Sequence, residues 1–448
     1  MFNKKSSYNM IYNKLTNKYN LFVLIRKILI LVMFFSVRQL SAQNIMTDTL
    51  TLEECINIGL ENNPAFQSSQ FFVEENKAKV DEQRAGFYPT INFNSNADTY
   101  SRNNGSERYN NYSTGISASY NLFEGFRTKA TYNAAKDNYE ANIYQYESNK
   151  QDLIFNIIYA YYKTIQSERI LKSAEVAVKS SNLHLEFAMA KNKAGMATRS
   201  DILKSEVELS NAELNRIKAV NSLLAAKGNL NLFLGLHSNN HIKIVDDLSI
   251  INETPVQPFD SLFNEALYSR TEIKKFQSLL SAQQQNIKVA KGGYLPSIDA
   301  NANYNYSGLK ISGMQQNWWL GMTLSIPVFK GLSTKARISQ EELALKGLEK
   351  DFESLKQQIS QEVWNAYLAV KESSERIVTT VKGVESAREN LLLAEGEYKE
   401  GVGSIIQLTD AQTTFVTSEQ NYIQALSDYK ISFAELERTI GIESETKQ

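Results

Sequence analysis

The clearest alternation of polar and apolar positions falls in residues 88–100, Tyr-Pro-Thr-Ile-Asn-Phe-Asn-Ser-Asn-Ala-Asp-Thr-Tyr. Ile91, Phe93, Ala97 and Thr99 share one parity, with Ser95 the only strongly polar member, while Asn92, Asn94, Asn96 and Asp98 take the other. Period two predicts a strand with one oily face and one wet face. The pattern returns after Tyr294, where Ile298, Ala300, Ala302, Tyr304 and Tyr306 alternate with Asp299, Asn301, Asn303 and Asn305. Each copy has a partner downstream. Ile116, Ala118, Tyr120 and Leu122 alternate with Ser117, Ser119 and Asn121, and Trp318, Leu320, Met322, Leu324 and Ile326 with Trp319, Gly321, Thr323 and Ser325. Two hairpins are expected, with solvated loops at 101–112 and 307–316. Asn and Asp disfavour strands, so something besides propensity must hold these segments extended. A sheet with lipid on one side and water on the other would do so.

Between the hairpins the period changes. The 6 prolines stand at 64, 89, 255, 258, 296 and 327, leaving 90–254 and 328–448 free for long helices. A short amphipathic helix is expected over 50–61, stopped by Asn62-Asn63-Pro64, then a second from Pro64 to Phe87. After Gly125 a helical segment runs to Asn192, a rod of roughly 100 Å at 1.5 Å per residue. Residues 193–198 break it. The returning helix, 200–234, carries Val207, Leu214, Ile217 and Leu224 as its apolar stripe. Residues 236–258 read as a linker with a short strand at 242–245. In the last helix Tyr422, Leu426, Tyr429, Phe433, Leu436 and Ile440 are spaced four, three, four, three, four, a coiled-coil seam.

The second half repeats the first. Pro296 answers Pro89, and Gly331, Gly401 and Gly441 answer Gly125, Gly195 and Gly235, each pair 206 apart (331 − 125, 401 − 195, 441 − 235). This spacing indicates a tandem duplication of one large unit. The expected organisation is a first repeat at 43–235 holding the hairpin 89–122, the linker 236–258, and a second repeat at 259–448 holding the hairpin 296–328. In each, the helix before the strands and the helix returning from the far turn together match the long helix between them. Stacked end to end, they could lie antiparallel beside it.

Composition narrows the function. The net charge of −1 gives no case for nucleic acid, which calls for a basic patch. One cysteine, Cys55, excludes an intramolecular disulfide framework. Arg26 and Lys27 before the apolar run 28–37, then Leu-Ser-Ala at 40–42, read as a signal peptide, 1–42. No apolar run of spanning length follows it, so a crossing of the membrane must be made by strands. His184, His237 and His241 have no partners at metal-ligand spacing, and no nucleophile elbow, phosphate loop or zinc motif is present. Neither enzyme, cofactor nor metal is expected.

The duplicated Gly-Phe-Tyr-Pro-Thr-Ile (86–91) and Gly-Tyr-Leu-Pro-Ser-Ile (293–298), the strand exits Asn-Leu-Phe-Glu-Gly (121–125) and Pro-Val-Phe-Lys-Gly (327–331), and the far turns 194–203 and 400–412, taken in order, resemble the TolC-like outer-membrane efflux proteins. The resemblance covers essentially the whole chain after the signal peptide. It implies a mainly α fold with a membrane β-barrel: duplicated long α-helical hairpins form a trimeric periplasmic tunnel, and four strands per chain join a shared 12-stranded barrel. It also implies an exit duct for efflux or type I secretion, docked at the far turns to a periplasmic adaptor and an inner-membrane pump or ABC transporter. Independently, four strands cannot close a barrel, and open edges are not tolerated in lipid, so oligomerisation is required. The rival reading is a periplasmic coiled-coil scaffold or adaptor with a small soluble sheet.

In the family, acidic residues can ring an aperture near the second far turn. Matching positions places Asp410 and Gln407 there, with Asp201 equivalent to Gln407 in the first repeat; Gln407 departs from the acidic pattern and implies a weaker ring. The alternative for Asp201 and Asp410 is capping or first-turn stabilisation of a helix. Gly195, Thr198, Gly401, Gly403 and Ser404 are the expected adaptor-contacting tips. Trp318, Trp319, Tyr100 and Tyr112, near strand ends, are the expected membrane-interface aromatics.

Overall fold

A computed structural model describes residues 49–102, 107–249 and 257–442; the signal-peptide segment lies outside the described residues. Helix α1 (Leu52–Asn62) opens with a capping box, the Thr51 hydroxyl accepting from the Glu54 amide while Glu54 accepts from the Thr51 amide at 2.8 Å. Asn63 ends α1 and caps α2 (Pro64–Arg84), accepting from the amides of Ala65 and Phe66. Pro64 sits at the first helical position, where its missing N–H costs nothing. A single 3₁₀ turn, Ala85–Phe87, delivers the chain to β1 (Thr90–Arg102) and β2 (Glu107–Glu124). Then come α3 (Arg127–Lys193) and α4 (Arg199–Phe233). The second half gives the same series: α5 (Phe259–Ser269), α6 (Thr271–Gly292), β3 (Ser297–Gly308), β4 (Gln315–Ser325), α7 (Ser333–Glu400) and α8 (Ile405–Ile440). With 67 and 68 residues, α3 and α7 are each about 100 Å long.

The glycines spaced 206 apart are where the backbone turns left-handed. Gly125 and Gly331 both have φ +59°, Gly195 and Gly401 +75° and +82°, Gly235 and Gly441 +72° and +76°. Phe126 and Leu332, at φ 65° and 63°, share this geometry without being glycine. Two consecutive left-handed residues turn each strand exit sharply into its long helix.

The four strands form one antiparallel sheet in the order β1-β2-β3-β4. The hairpins share a register, Ile91 opposite Ala118 in the first and Ile298 opposite Leu324 in the second. The expected loops are shorter than the composition implied. Tyr100 pairs with Tyr109 and Ser307 with Gln315, so most of 101–112 and the first and last residues of 307–316 belong to the ladder. Ladder hydrogen bonds satisfy backbone groups regardless of side-chain propensity, which is why Asn-rich segments run on as strands.

Within each repeat the long helix packs against the helix before the strands and the helix after the far turn; α3 also packs against α6 and α8. One core gathers Ile157, Tyr161 and Ile165 of α3 with Leu230 and Leu234, all almost fully buried, and Cys55, whose thiol burial pushes up to about 12. The described part of the linker, 236–249, lies over this core, and 250–256 fall outside the described residues. The Tyr161 hydroxyl donates to the Val245 carbonyl at 2.7 Å, and Arg169 donates to both carboxylate oxygens of Asp246 at 2.7 Å. The strand expected at 242–245 is therefore only a single bridge, Leu50 to Ile244: side chains of α3 hold the linker where a second strand would otherwise have to. A second core joins Ile359, Val363 and Val370 of α7 to Tyr429, Leu436 and Ile440 of the expected seam.

The stripe on α4 is a correction. Val207, Leu214, Ile217 and Leu224 remain between 49% and 61% exposed, while Ile202, Ser205, Ala212, Ala219, Leu230 and Asn231 are the side chains buried. Small residues along the middle of α4 let it lie close on α3, and this turns the four residues of the stripe outward. Among the described residues, no helix is long and apolar enough to cross a membrane.

Candidate functional site: the sheet faces and the far turns

Pairing fixes which side chains share a face. Ile91, Phe93, Ile116, Ala118, Ala300, Ala302, Tyr304, Leu320, Met322 and Leu324 lie together on one side of the sheet; Phe93 is 72% exposed and Leu320 71%. The other side carries Asn92, Asn94, Asn96, Ser117, Ser119, Asn301, Asn303 and Asn305. Asn94 donates to the Ser117 hydroxyl at 3.3 Å, and Thr90 and Ser119 share a 2.6 Å hydrogen bond. This is one hydrocarbon-compatible face and one neutral, hydrated face.

The four expected interface aromatics divide between these faces. Tyr112, opposite Ala97, and Trp318, opposite Tyr304, are on the oily side. Trp319 and Tyr100 are not: Trp319 pairs with Asn303 and its ring lies across Gly321, and Tyr100 pairs and stacks with Tyr109 at 5.2 Å. Strand alternation forbids two consecutive tryptophans from facing the same phase. In single-tryptophan variants, Trp318 is expected to be quenched by brominated lipid and Trp319 by aqueous iodide; equal lipid quenching of both would refute this division.

The far turns explain several sequence signals. Thr198 and Asp201 form a capping box at the start of α4, with Asp201 accepting from the Thr198 amide at 2.7 Å. Ser404 and Gln407 form the same box on α8, Gln407 accepting from the Ser404 amide at 2.9 Å. Glutamine serves this role as well as an acid, so the departure at 407 preserves the cap and removes a charge. Gly195 and Gly401 supply the left-handed turns. Gly403 lies so close to Glu397 that a Cβ would come within 2.9 Å of it. Beside them Met196 and Val402 project into solvent.

Asp410 is not a capping residue. It lies in the second turn of α8, exposed, with Glu208 of α4 near enough to feel its charge. Burial first, then Asp410, pushes the Glu208 carboxyl above its ordinary range. Glu208 drew no attention in the sequence because 202 positions (410 − 208) separate it from Asp410. Asp201 lies close to Tyr398 instead, whose hydroxyl is raised by burial and then by that carboxylate.

The two hairpins meet along a polar joint. Lys163 and Arg376 each donate to Asp428 at 2.8 Å, Ser180 donates to Gln412 at 2.9 Å, and Ser173 donates to Glu419. His184 is buried 3.6 Å from Glu395; burial lowers its pKa, and Glu395 partly offsets this. Lys191 donates to the Tyr398 carbonyl and stands 4.4 Å over its ring. Ser173, Ser180, His184 and Lys191 recur at helical spacing, a face whose polarity resembles an ordinary solvated one until the second hairpin is placed on it.

Long paired helices carrying a four-stranded sheet with an oily outer face and a hydrated inner face define an outer-membrane channel subunit. The sequence matches the outer membrane efflux protein family over residues 55–236 and 262–442, and the chain belongs to that family. It is 21% identical to the outer membrane protein TolC of Vibrio cholerae, over 88% of this chain and 91% of the relative. It is 23% identical to a probable efflux pump outer membrane protein, TtgC, of Pseudomonas putida, over 83% and 79%. Its fold matches the CmeC outer membrane channel of Campylobacter jejuni with TM-score 0.78 at 15% identity, covering 88% and 87%. The protein is mainly helical, contributes a few strands to a barrel formed by the trimer, and resides in the outer membrane with its helices in the periplasm. Membership in this family sets the soluble scaffold reading aside.

Proposed function

We propose that three copies form a passive exit duct, driven by an inner-membrane transporter through a periplasmic adaptor that binds the far turns. The carrying observation is the open sheet: its apolar face is largely exposed in one chain, and among the described strands β1 and β4 each lack a partner on one side. Closure by two further copies covers both edges and seats that face in lipid. The hydrated inner face then lines a lumen that offers neutral amides and hydroxyls to passing solutes.

The periplasmic aperture, in this reading, carries Asp410 together with Glu208, while Asp201 and Gln407 serve the helix caps. The polar joint between hairpins favours an opening motion, because parting charged and hydroxyl groups exposes surfaces that water can solvate. Purified trimers in a planar bilayer test the duct and its aperture. They are expected to conduct, with a block by divalent cations that Asp410→Ala weakens roughly tenfold, equivalent to about 1.4 kcal/mol. Since Glu208 ionises above its ordinary range, the block should also fade as pH falls through that raised value, and Glu208→Gln should remove this dependence. Conduction without any divalent block refutes the aperture; absence of conduction from a trimer refutes the duct.

A further inference from the structure

The joint between the hairpins encloses one titratable group that neither the duct nor its aperture uses. His184 of α3 is 4% exposed, covered where α8 lies on α3. Its Nε2 stands 3.4 Å from the Ser180 hydroxyl and 3.6 Å from a carboxylate oxygen of Glu395 on α7. The Ser180 hydrogen is already given to Gln412 of α8 at 2.9 Å, and Gln412 is itself buried. Both neighbours of Nε2 are therefore acceptors, which puts the imidazole hydrogen on Nε2 and leaves Nδ1 as a bare lone pair. Nδ1 is buried with no hydrogen-bond partner among the described residues. The relay from His184 through Ser180 to Gln412 thus crosses the joint and leaves no acceptor for a second imidazole proton.

The surroundings offer little to a cation there. Ser181 Oγ and the Tyr398 hydroxyl, near His184 along α3 and near Glu395 along α7, are likewise buried without a partner among the described residues. Charged groups within a few turns are engaged with others. Glu186 of α3 accepts from Asn182, Lys191 of α3 lies over the Tyr398 ring, Glu208 of α4 feels Asp410 of α8, and Arg388 of α7 lies over the Phe415 ring. Glu395 is the charged group that acts on the imidazole. Higher on the joint the pattern differs, because Lys163 and Arg376 both find Asp428. In the second repeat an exposed Asn390 stands in the place of His184 (390 − 184 = 206), so the packing of a repeat does not by itself ask for an imidazole.

A proton added to His184 must go to Nδ1. A buried N–H without an acceptor is costly, and the same N–H in water is not. Parting the hairpins supplies that water. Resting on the opening motion of the duct reading, we propose that His184 is a proton-operated latch: neutral, it holds α3 to α8 in the closed joint; protonated, it favours the parted hairpins and an open duct. Burial lowers the imidazole pKa in the closed joint, and Glu395 offsets this only in part, so the closed form binds fewer protons than the open one. Above the ordinary histidine range both forms are neutral and pH changes nothing. As pH falls through that range the open form gains, and the gain is complete once pH lies below the lowered value of the closed form. Acid on the periplasmic side thereby leaves less of the opening for the transporter and adaptor to drive.

Trimers in a planar bilayer bathed in monovalent salt without divalent cations test the latch. The ratio of open to closed time is expected to rise at least about threefold between about pH 7.5 and about pH 5, since each unit of pKa difference between the two forms is worth about tenfold. His184→Phe and His184→Gln should both flatten this profile. Glu395→Gln removes the group that favours the cation and should steepen it, whereas loss of a merely structural contact raises opening equally at every pH. A response that survives in both His184 variants overturns the latch and leaves the duct standing; a trimer that conducts at no pH overturns the duct. A second measurement needs no current. With spin labels on Met196→Cys and Val402→Cys in a Cys55→Ala background, long separations between the far turns should become more frequent below the ordinary histidine range, and should not when His184→Phe is added. Separations that ignore pH overturn the latch whether or not the trimer conducts.

Discussion

Changing Leu214 and Ile217 to glutamate is expected to abolish the trimer while leaving the helical hairpin folded. Both belong to the outward stripe of α4 and are about half exposed, 49% and 52%. Burying a large aliphatic side chain contributes about 1.5–3 kcal/mol, so two half-exposed residues in each of three copies form a substantial part of the association. Glutamate removes that gain and must also lose its water at a packed surface, at further cost. The hairpin should survive because α4 is held to α3 by another face, Ile202, Ser205, Ala212 and Ala219. Circular dichroism and the size of the detergent-solubilised particle separate the two effects. A trimer that persists with native helix content would mean the stripe does not face a neighbour. A protein that loses its helix content would mean it is packed within the chain.

Gly125→Ala should destabilise the folded protein by about 2–5 kcal/mol, against about 1–2 kcal/mol for Gly195→Ala. Both glycines are left-handed, and a Cβ in that region costs roughly 1–2 kcal/mol. They differ in surroundings. At Gly195 a Cβ meets nothing within 4 Å, whereas at Gly125 it meets a backbone carbonyl at 2.6 Å and Leu295 at 2.8 Å, so an overpacking cost of about 1–3 kcal/mol is added. The contact is where the exit of the first repeat bears on the second, and displacing it shifts β2 against β3. Urea midpoints of the two variants in detergent decide the matter. Equal losses would show that only backbone strain acts at both turns.

Much of this fold could be read along the chain because it is local or repeated. The strands announce themselves by period two, the long helices by the absence of proline over 90–254 and 328–448, and the turns by glycines at constant spacing. Thr198 with Asp201 and Ser404 with Gln407 were visible as sequence neighbours, and their caps need only four residues. The residues missed are those whose meaning comes from a distant partner. Glu208 acquires its raised pKa only when packing buries it and brings it near Asp410, and His184 becomes a buried group only between two hairpins. The α4 stripe was visible but its partner was not, because an apolar helix face looks the same whether it meets its own chain or another copy.

By itself, the sequence determined the alternating faces, the rods, the far turns and the duplication, since each is set by side-chain period or by a backbone conformation that glycine alone adopts cheaply. Only the tertiary structure decided that Val207, Leu214, Ile217 and Leu224 stay outward on α4, that Glu208 comes near Asp410, and that the hairpins meet through charge and hydroxyl groups. Those outcomes depend on which surfaces lie opposite one another, and opposition across 200 residues of chain is a property of packing that no local pattern encodes.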